Sequence, residues 1–146
     1  MRRKPKTAKQ RVAQFVTRSK ADVFVPGDFT KAKPDTSDYD ATMRAVRQLV
    51  RDGDLVRIAY GVYAKTRKSP INGQPIIAAS GGIDGVVRQA LSKLKVKWAN
   101  SKAIEDYNAG RSTQIPVNPV YRVESGFSRR FSYRGKEIKF ERSASL

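Results

Sequence analysis

The stretch LVRIAYGVYAKTR, Leu55–Arg67, predicts a β-hairpin. Two short runs of β-forming residues flank a turn around Tyr60-Gly61, as is typical of two paired strands. A hairpin that only covers a core does not need charges beside its turn. Basic residues nevertheless stand on both strands, at Arg57, Lys65 and Arg67. The hairpin is therefore predicted to face an anionic partner.

The residues before the hairpin predict an amphipathic helix over Asp38–Asp52. Ser37 and Asp40 form a weak variant of a capping box at its start, and Gly53 is placed to end it. Apolar residues at helical spacing define the face that we expect to be buried. They are Tyr39, Met43, Val46, Leu49 and Val50.

The first third of the chain completes a recognisable order of elements. We predict a disordered basic arm over residues 1–6. A helix is predicted from Thr7 to about Arg18, with Val12, Phe15 and Val16 on one side. A short helix near Phe29 follows, and a turn over Lys33–Asp38 separates it from the amphipathic helix. Helix, short helix, turn, helix and hairpin are the order of a winged helix-turn-helix domain, which we predict for residues 7–68.

The rest of the chain predicts a linker and a small second domain. Ser69–Gly82 is rich in Pro, Gly and Ser, which favours a linker, and residues 83–146 predict a small α/β domain ending in a β-hairpin. Its predicted elements are a helix over Ile83–Leu94, a strand over Val96–Trp98, a short helix over Ala103–Ala109, extended segments over Thr113–Val117 and Val120–Glu124, and the strands Arg130–Tyr133 and Lys136–Glu141. The predicted fold class is α+β.

The composition indicates a polyanionic partner. The chain has 146 residues with 30 Lys+Arg and 13 Asp+Glu, a formal net charge of +17 spread over both halves. Nucleic acid is the leading partner class and an anionic membrane surface the second. No segment is apolar enough to cross a bilayer, and no apolar run follows the basic N-terminus. We therefore expect a soluble, cytoplasmic protein.

The residue inventory argues against most enzymes. The chain contains no cysteine and no histidine, which excludes disulfides, Cys/His zinc sites, Cys nucleophiles and His general bases. A metal-dependent nuclease on the pairs Asp52/Asp54 or Glu105-Asp106 ranks last. SGGIDG, Ser80–Gly85, lacks the spacing of a phosphate loop and predicts a flexible helix entry. We expect no enzyme activity, no cofactor and no metal.

Candidate DNA-binding residues lie on the amphipathic helix, and the charged ones form a stripe largely opposite its apolar face. Asp40, Arg44, Arg47 and Arg51 form one stripe, and a helix fits the major groove. The first turns normally reach the bases, which selects Tyr39, Asp40, Thr42 and Arg44, whereas Arg47 and Arg51 are placed for phosphates. The alternative is a solvated face, with Asp40 and Arg44 as a favourable pair four residues apart.

The hairpin and the N-terminal arm supply the other candidates. On the hairpin, phosphate or minor-groove contacts are expected from Arg57, Tyr60, Lys65, Arg67 and Lys68. Val62 and Tyr63 are predicted to pack on the helices. Two roles are left open for Tyr60: it covers the hairpin, or it donates its hydroxyl to a phosphate. The arm, either a DNA contact or a solubilising tail, carries Arg2, Arg3, Lys4 and Lys6.

Two blocks of the chain resemble AbiEi-type antitoxins. RAVRQLVRDGDLVRIAYGVYAKTR, Arg44–Arg67, resembles their helix-and-wing block with its R-x-x-x-G-x-Y pattern. STQIPVNPVYRVESGFSRRFSYRGKEIKFER, Ser112–Arg142, is similar to their second domain. The resemblance implies a winged-helix repressor of its own toxin–antitoxin operon that binds inverted repeats. It also implies a nucleotidyltransferase-like toxin that is opposed without a stable complex.

Together these patterns predict a sequence-specific double-stranded DNA-binding regulator, an autorepressor and antitoxin. We expect an inverted-repeat operator, a homodimer on DNA, no membrane association and no stable toxin complex. The alternative is an RNA-binding or ribosome-associated basic protein, in which Tyr60 and Trp98 act as stacking groups.

Overall fold

The computed structural model describes residues 6–30, 39–100, 102–111, 113 and 121–146. Within them the chain is a mixed α+β protein with five helices and several small sheets. It divides into two compact units, Met1–Val86 and Val87–Leu146. The turn predicted over Lys33–Asp38, the cap at Ser37 and most of the extended segment Thr113–Val117 lie outside the described residues.

The first unit contains the predicted helices and hairpin in the predicted order. Its elements are α1 (Ala8–Arg18), β1 (Val23–Phe24), α2 (Pro26–Thr30), α3 (Tyr39–Asp52), β2 (Leu55–Ala59), β3 (Val62–Lys68) and β4 (Pro75–Ile77), followed by α4 (Gly82–Lys93), within which the boundary between the units falls.

Helix ends are fixed by local hydrogen bonds. The Thr7 hydroxyl accepts the N–H of Gln10 (3.1 Å), and the Gln10 side chain accepts the N–H of Thr7 (2.9 Å), so a capping box begins α1. At the end of α3, Gly53 has φ +86° and donates to Val50 O, while Asp54 donates to Leu49 O. This is a Schellman motif, and it confirms the helix end predicted at Gly53.

The three helices cover one face of the sheet. The buried cluster between them comprises Val12, Val16, Phe24, Phe29, Ala45, Val46, Leu49, Leu55 and Tyr63. Rings meet edge to face or tilted, with 5.5 Å between the centroids of Phe24 and Phe29 and 6.0 Å between those of Phe29 and Tyr63. Such pairs stabilise by about 0.5–1.5 kcal/mol beyond their buried area. This packing joins α3 to the hairpin through one shared core.

The sheet is built around β3. β2 pairs antiparallel with one edge of β3, and β1 and β4 pair antiparallel with successive parts of the other. The linker predicted over Ser69–Gly82 was therefore wrong for Pro75–Ile77, which forms a strand. Only three residues pair there, with Pro75 at the start of the strand, and so the Pro- and Gly-rich composition concealed it.

The second unit continues from α4 with the elements β5 (Trp98–Asn100), α5 (Lys102–Asn108), β6 (Tyr121–Glu124), β7 (Ser132–Tyr133), β8 (Lys136–Glu137) and β9 (Phe140–Ser143). β6 pairs antiparallel with β5 and parallel with β9. β7 and β8 form a separate hairpin with two residues in each strand. The predicted terminal hairpin was therefore too long: the chain leaves it after Ile138, whose N–H still donates to the carbonyl of Phe131 (2.8 Å), and returns beside β6. The return of the chain beside β6 brings Phe140 against the rings of Phe127 and Phe131.

The glycines of Ser80–Gly85 serve the fold. A Cβ at Gly85 would lie 2.1 Å from the carbonyl oxygen of Ser80, so only glycine fits where α4 begins. The predicted helix entry is confirmed, and the close backbone approach at Gly85 explains one of its glycines.

Candidate nucleic-acid interface

The outer face of α3 carries the predicted charged stripe. Ala45, Val46 and Leu49 point into the core, so side chains on the opposite side of the helix are turned outward. The exposed residues are Tyr39, Asp40, Arg44, Arg47, Gln48, Arg51 and Asp52. The prediction that Tyr39 lies on the buried face was wrong: it is 47% exposed, because the core-facing side of α3 is centred on Thr42, Ala45, Val46 and Leu49. Thr42, one of the predicted base contacts, instead lies on the buried side with 9% of its surface exposed. It is therefore placed to pack against the core.

The turn of the hairpin carries an exposed aromatic ring. Tyr60 is 80% exposed, and Arg57 Cζ lies 5.8 Å from the centroid of its ring. Arg57 pairs with Tyr63 across the strands, and directly paired residues share a face of a sheet. Because Tyr63 belongs to the helix-facing core, Arg57 is turned toward the helices as well. The strand register thus aims Arg57 into the space beside α3.

A groove of about 480 Å³ lies between α3 and the hairpin turn. It is lined by Pro26, Tyr39, Asp40, Met43, Arg47, Val50, Arg57, Tyr60, Gly61 and Tyr63. Two guanidinium groups, one carboxylate and three phenol rings therefore share one concave surface. These are the groups that bind phosphates, base edges and sugar oxygens. Five of the lining residues were predicted as DNA contacts: Tyr39, Asp40, Arg47, Arg57 and Tyr60. Tyr63 was predicted to pack, and this is confirmed, because it is 7% exposed.

The other predicted hairpin cations have different positions. The Lys65 ammonium donates to the carbonyls of Thr17 (3.4 Å) and Ser19 (3.3 Å) at the end of α1. A cation there complements the helix dipole, so Lys65 ties β3 to α1. Arg67 and Lys68 are exposed where β3 pairs with β4, at the opposite end of β3 from the turn.

The N-terminal arm is described in part. Arg2, Arg3 and Lys4 lie outside the described residues, whereas Lys6 is exposed and donates to the Gln14 side chain. Lys6 therefore lies along α1. Its neighbour Lys9 forms an ion pair with Asp52 at the end of α3, 2.6 Å between Nζ and Oδ2.

The second unit carries a basic concavity that sequence reasoning did not identify. Its volume is about 460 Å³, and it is lined by Arg129, Arg130, Glu137, Ile138, Lys139, Phe140, Glu141 and Arg142. Arg142 is oriented by a 2.7 Å hydrogen bond from its Nε to the carbonyl of Phe127. The signal in the sequence was the Arg129-Arg130 doublet followed by Lys139 and Arg142, but only the parallel return of β9 brings these residues together.

Carboxylates proposed for a nuclease take part in ion pairs. Glu105 pairs with Arg122 (2.7 Å) and Asp106 with Arg111 (3.0 Å), in addition to the pair of Asp52 with Lys9. Among the described residues, no three His, Cys, Asp or Glu side chains are grouped closely enough to hold a metal ion. These carboxylates have structural partners that account for their positions.

The described helices are too short or too polar to span a lipid bilayer.

Comparison of the chain with protein-family models, with curated proteins and with solved structures gives no match. The resemblance to AbiEi-type antitoxins therefore stays a prediction. Support for any function comes from the residues themselves and from their arrangement.

Proposed function

We propose that the chain is a sequence-specific double-stranded DNA-binding regulator of transcription, acting in the cytoplasm. In this proposal residues 7–68 form a winged helix-turn-helix domain, α3 is the major-groove helix and the β2–β3 hairpin is the wing. The observation that carries the proposal is the groove between them, which combines Arg47, Arg57 and Tyr60 in one concave surface.

The dimensions and charge of this region suit a duplex. An α-helix with its side chains is about 10–12 Å across, close to the roughly 12 Å width of the major groove. The cations of α3 lie on the side that faces away from the core, with Arg44, Arg47 and Arg51 exposed. A duplex that receives α3 in its major groove would bring a backbone phosphate toward Arg57 and Tyr60 on the wing.

The second unit extends the contact in this proposal. Its basic concavity gathers Arg130, Lys139 and Arg142 on a surface suited to phosphates. Such contacts add affinity without adding sequence information, whereas α3 supplies the specificity.

The resemblance to AbiEi-type antitoxins supports a more particular role. The chain would repress its own toxin–antitoxin operon as a homodimer on inverted repeats, and it would oppose a toxin without forming a stable complex with it. A gene for a nucleotidyltransferase-like protein beside the gene for this chain would support the antitoxin role.

The position of Trp98 bears on the RNA alternative. Trp98, one of the two predicted stacking groups, is half-buried, and its ring meets Tyr121 edge to face with 6.1 Å between centroids. Among the described residues, exposed rings are presented by Tyr60 (80%), Tyr39 (47%) and Tyr107 (39%), so the RNA alternative would depend on these side chains instead of Trp98.

The deciding experiment compares three labelled ligands by fluorescence anisotropy: the DNA upstream of the chain's own gene, a duplex of scrambled sequence and a structured RNA. We expect preference for the upstream DNA. If about six phosphates are neutralised, log K should fall against log salt with a slope near −5. Equal binding to both duplexes at moderate salt would contradict the proposal, and stronger binding to the RNA would favour the alternative.

A further inference from the structure

The carboxylate of Asp40 lies among the cations of the α3–hairpin groove. Asp40 is exposed on the first turn of α3, and it contributes to the lining together with Arg47 and Arg57. It is the acidic side chain of that lining, and it forms no ion pair with another described residue. As an acidic residue of the first turn Asp40 complements the dipole of α3, but within the groove its charge weakens a surface that binds only phosphate.

A carboxylate can accept hydrogen bonds but cannot donate them, and it repels phosphate. In the major groove the hydrogen-bond donors are the exocyclic amines of cytosine and adenine. In adenine the free N–H of the amine lies beside the N7 acceptor, which repels a carboxylate, whereas in cytosine the free N–H of N4 lies beside C5–H. Cytosine is therefore the base that fits Asp40 best.

We infer that Asp40 determines sequence specificity by accepting a hydrogen bond from the N4 amine of a cytosine in the operator. This inference rests on the proposed function, because it requires α3 to lie in the major groove. Arg47 is two helical turns further along α3 and lines the same groove, so its charge holds the duplex against Asp40. Any base that presents only acceptors leaves the carboxylate dehydrated and unpaired, and it is rejected.

The inference predicts a defined change of specificity. Asparagine keeps the shape of aspartate but adds an amide donor, which suits the N6 and N7 pair of adenine. In Asp40→Asn the position read by residue 40 should change from cytosine to adenine, and the other positions should stay as they are. In Asp40→Ala that position should become degenerate, with the preference for cytosine falling about tenfold. Removing the negative charge should also strengthen binding to scrambled DNA.

The test selects bound sequences from a randomised duplex library with the wild-type chain, Asp40→Asn, Asp40→Ala and Gln48→Ala. Gln48 is exposed on α3 and is not part of the groove lining, so its variant should select the wild-type sequence. Thermal unfolding midpoints should lie within about 5 °C of one another, because both side chains are exposed and Asp40 contributes only its charge in the first turn of α3.

Two failures can be told apart. If the wild-type chain selects a sequence and both Asp40 variants select the same one, residue 40 does not read a base and this inference alone is overturned. If the wild-type chain selects no sequence, the proposed function fails, and the inference fails with it.

Discussion

The guanidinium of Arg57 lies over the ring of Tyr60, with 5.8 Å between Arg57 Cζ and the ring centroid. A cation at this distance from an aromatic face is attracted by about 0.5–1 kcal/mol at an exposed site. Arg57 is on β2 and Tyr60 is in the turn that follows, so the contact holds the tip of the hairpin in one arrangement. An exposed ring that is already positioned loses little conformational entropy when a ligand binds.

Replacing Tyr60 by alanine should weaken binding to the operator by about fivefold to tenfold, since one pre-organised contact of roughly 1 kcal/mol is lost. The unfolding midpoint should change little, because Tyr60 is 80% exposed. Tyr60→Phe keeps the ring and removes only the hydroxyl. Anisotropy titrations should show Tyr60→Phe close to wild type if the ring is the contact. A loss as large as that of Tyr60→Ala would instead assign the contact to the hydroxyl.

Substituting Lys65 should lower the stability of the fold, whereas substituting Lys68 should lower the chain's affinity for DNA. Lys65 donates to the carbonyls of Thr17 and Ser19, whereas Lys68 is exposed at the end of the strand. Lys65→Met should lower the free energy of unfolding by about 0.5–2 kcal/mol, because a cation at a helix end contributes that much. Lys68→Met should leave stability unchanged and reduce the salt slope of DNA binding by up to about 1 if Lys68 contacts a phosphate.

Denaturant unfolding and anisotropy at several salt concentrations measure the two effects on the same samples. A Lys65→Met variant with wild-type stability and a smaller salt slope would return Lys65 to the set of DNA contacts.

Elements with a strong local pattern were predictable from the sequence. The period of apolar residues predicted Asp38–Asp52 as a helix, and the structure has it over Tyr39–Asp52. Gly53 was expected to end it and does so through two backbone hydrogen bonds. The hairpin was equally predictable, because its turn and its β-forming runs are adjacent in the sequence. Local chemistry determines these features, so one window of sequence contains the information.

Features that depend on distant pairing were not predictable. β4 exists because Pro75–Ile77 meets β3, and the hydrogen bonds of a three-residue strand leave no periodic pattern. The basic concavity depends on β9 lying parallel to β6, although Tyr121 and its partner Phe140 are far apart in the sequence. The charged stripe on α3 was predicted from helical spacing. The same spacing sets Thr42 on the side of Val46 and Leu49, where it is buried, but its place in the first turns of the helix had suggested a base contact.

The basic concavity of the second unit should contribute affinity but no sequence preference. Removing two of its cations in Arg130→Ala/Lys139→Ala should lower the salt slope by up to about 2 if both bind phosphates. The sequence selected from a randomised library should not change, because phosphates are the same at every position. The matched control is Arg134→Ala/Lys136→Ala, which removes the same charge from residues that do not line the concavity.

Anisotropy titrations over a range of salt concentrations give both slopes. Equal slopes for the two double variants would mean that only net charge matters and that the concavity is not a contact.

Gly53 and Gly73 should differ in how much an added methyl group destabilises the fold. Both have positive φ, +86° and +71°, so either alanine variant incurs about 1–2 kcal/mol of backbone strain. A Cβ at Gly53 would also lie 2.7 Å from Pro75 Cγ, whereas one at Gly73 meets nothing within 4 Å. Pro75 is exposed, so this contact should add less than overpacking in a core, up to about 1 kcal/mol. Gly53→Ala should therefore lower the free energy of unfolding more than Gly73→Ala in denaturant titrations.

The contact with Pro75 can be isolated by a second substitution. Alanine at position 75 lacks the Cγ atom that the new methyl group would meet, so Pro75→Ala should recover part of the loss in the Gly53→Ala background. It should not recover any in the Gly73→Ala background. This result would show that β4 packs against the end of α3, and that the segment after the hairpin helps to fix the helix that carries the groove. Equal losses for the two glycine variants, with no recovery by Pro75→Ala, would instead leave backbone strain as the whole effect.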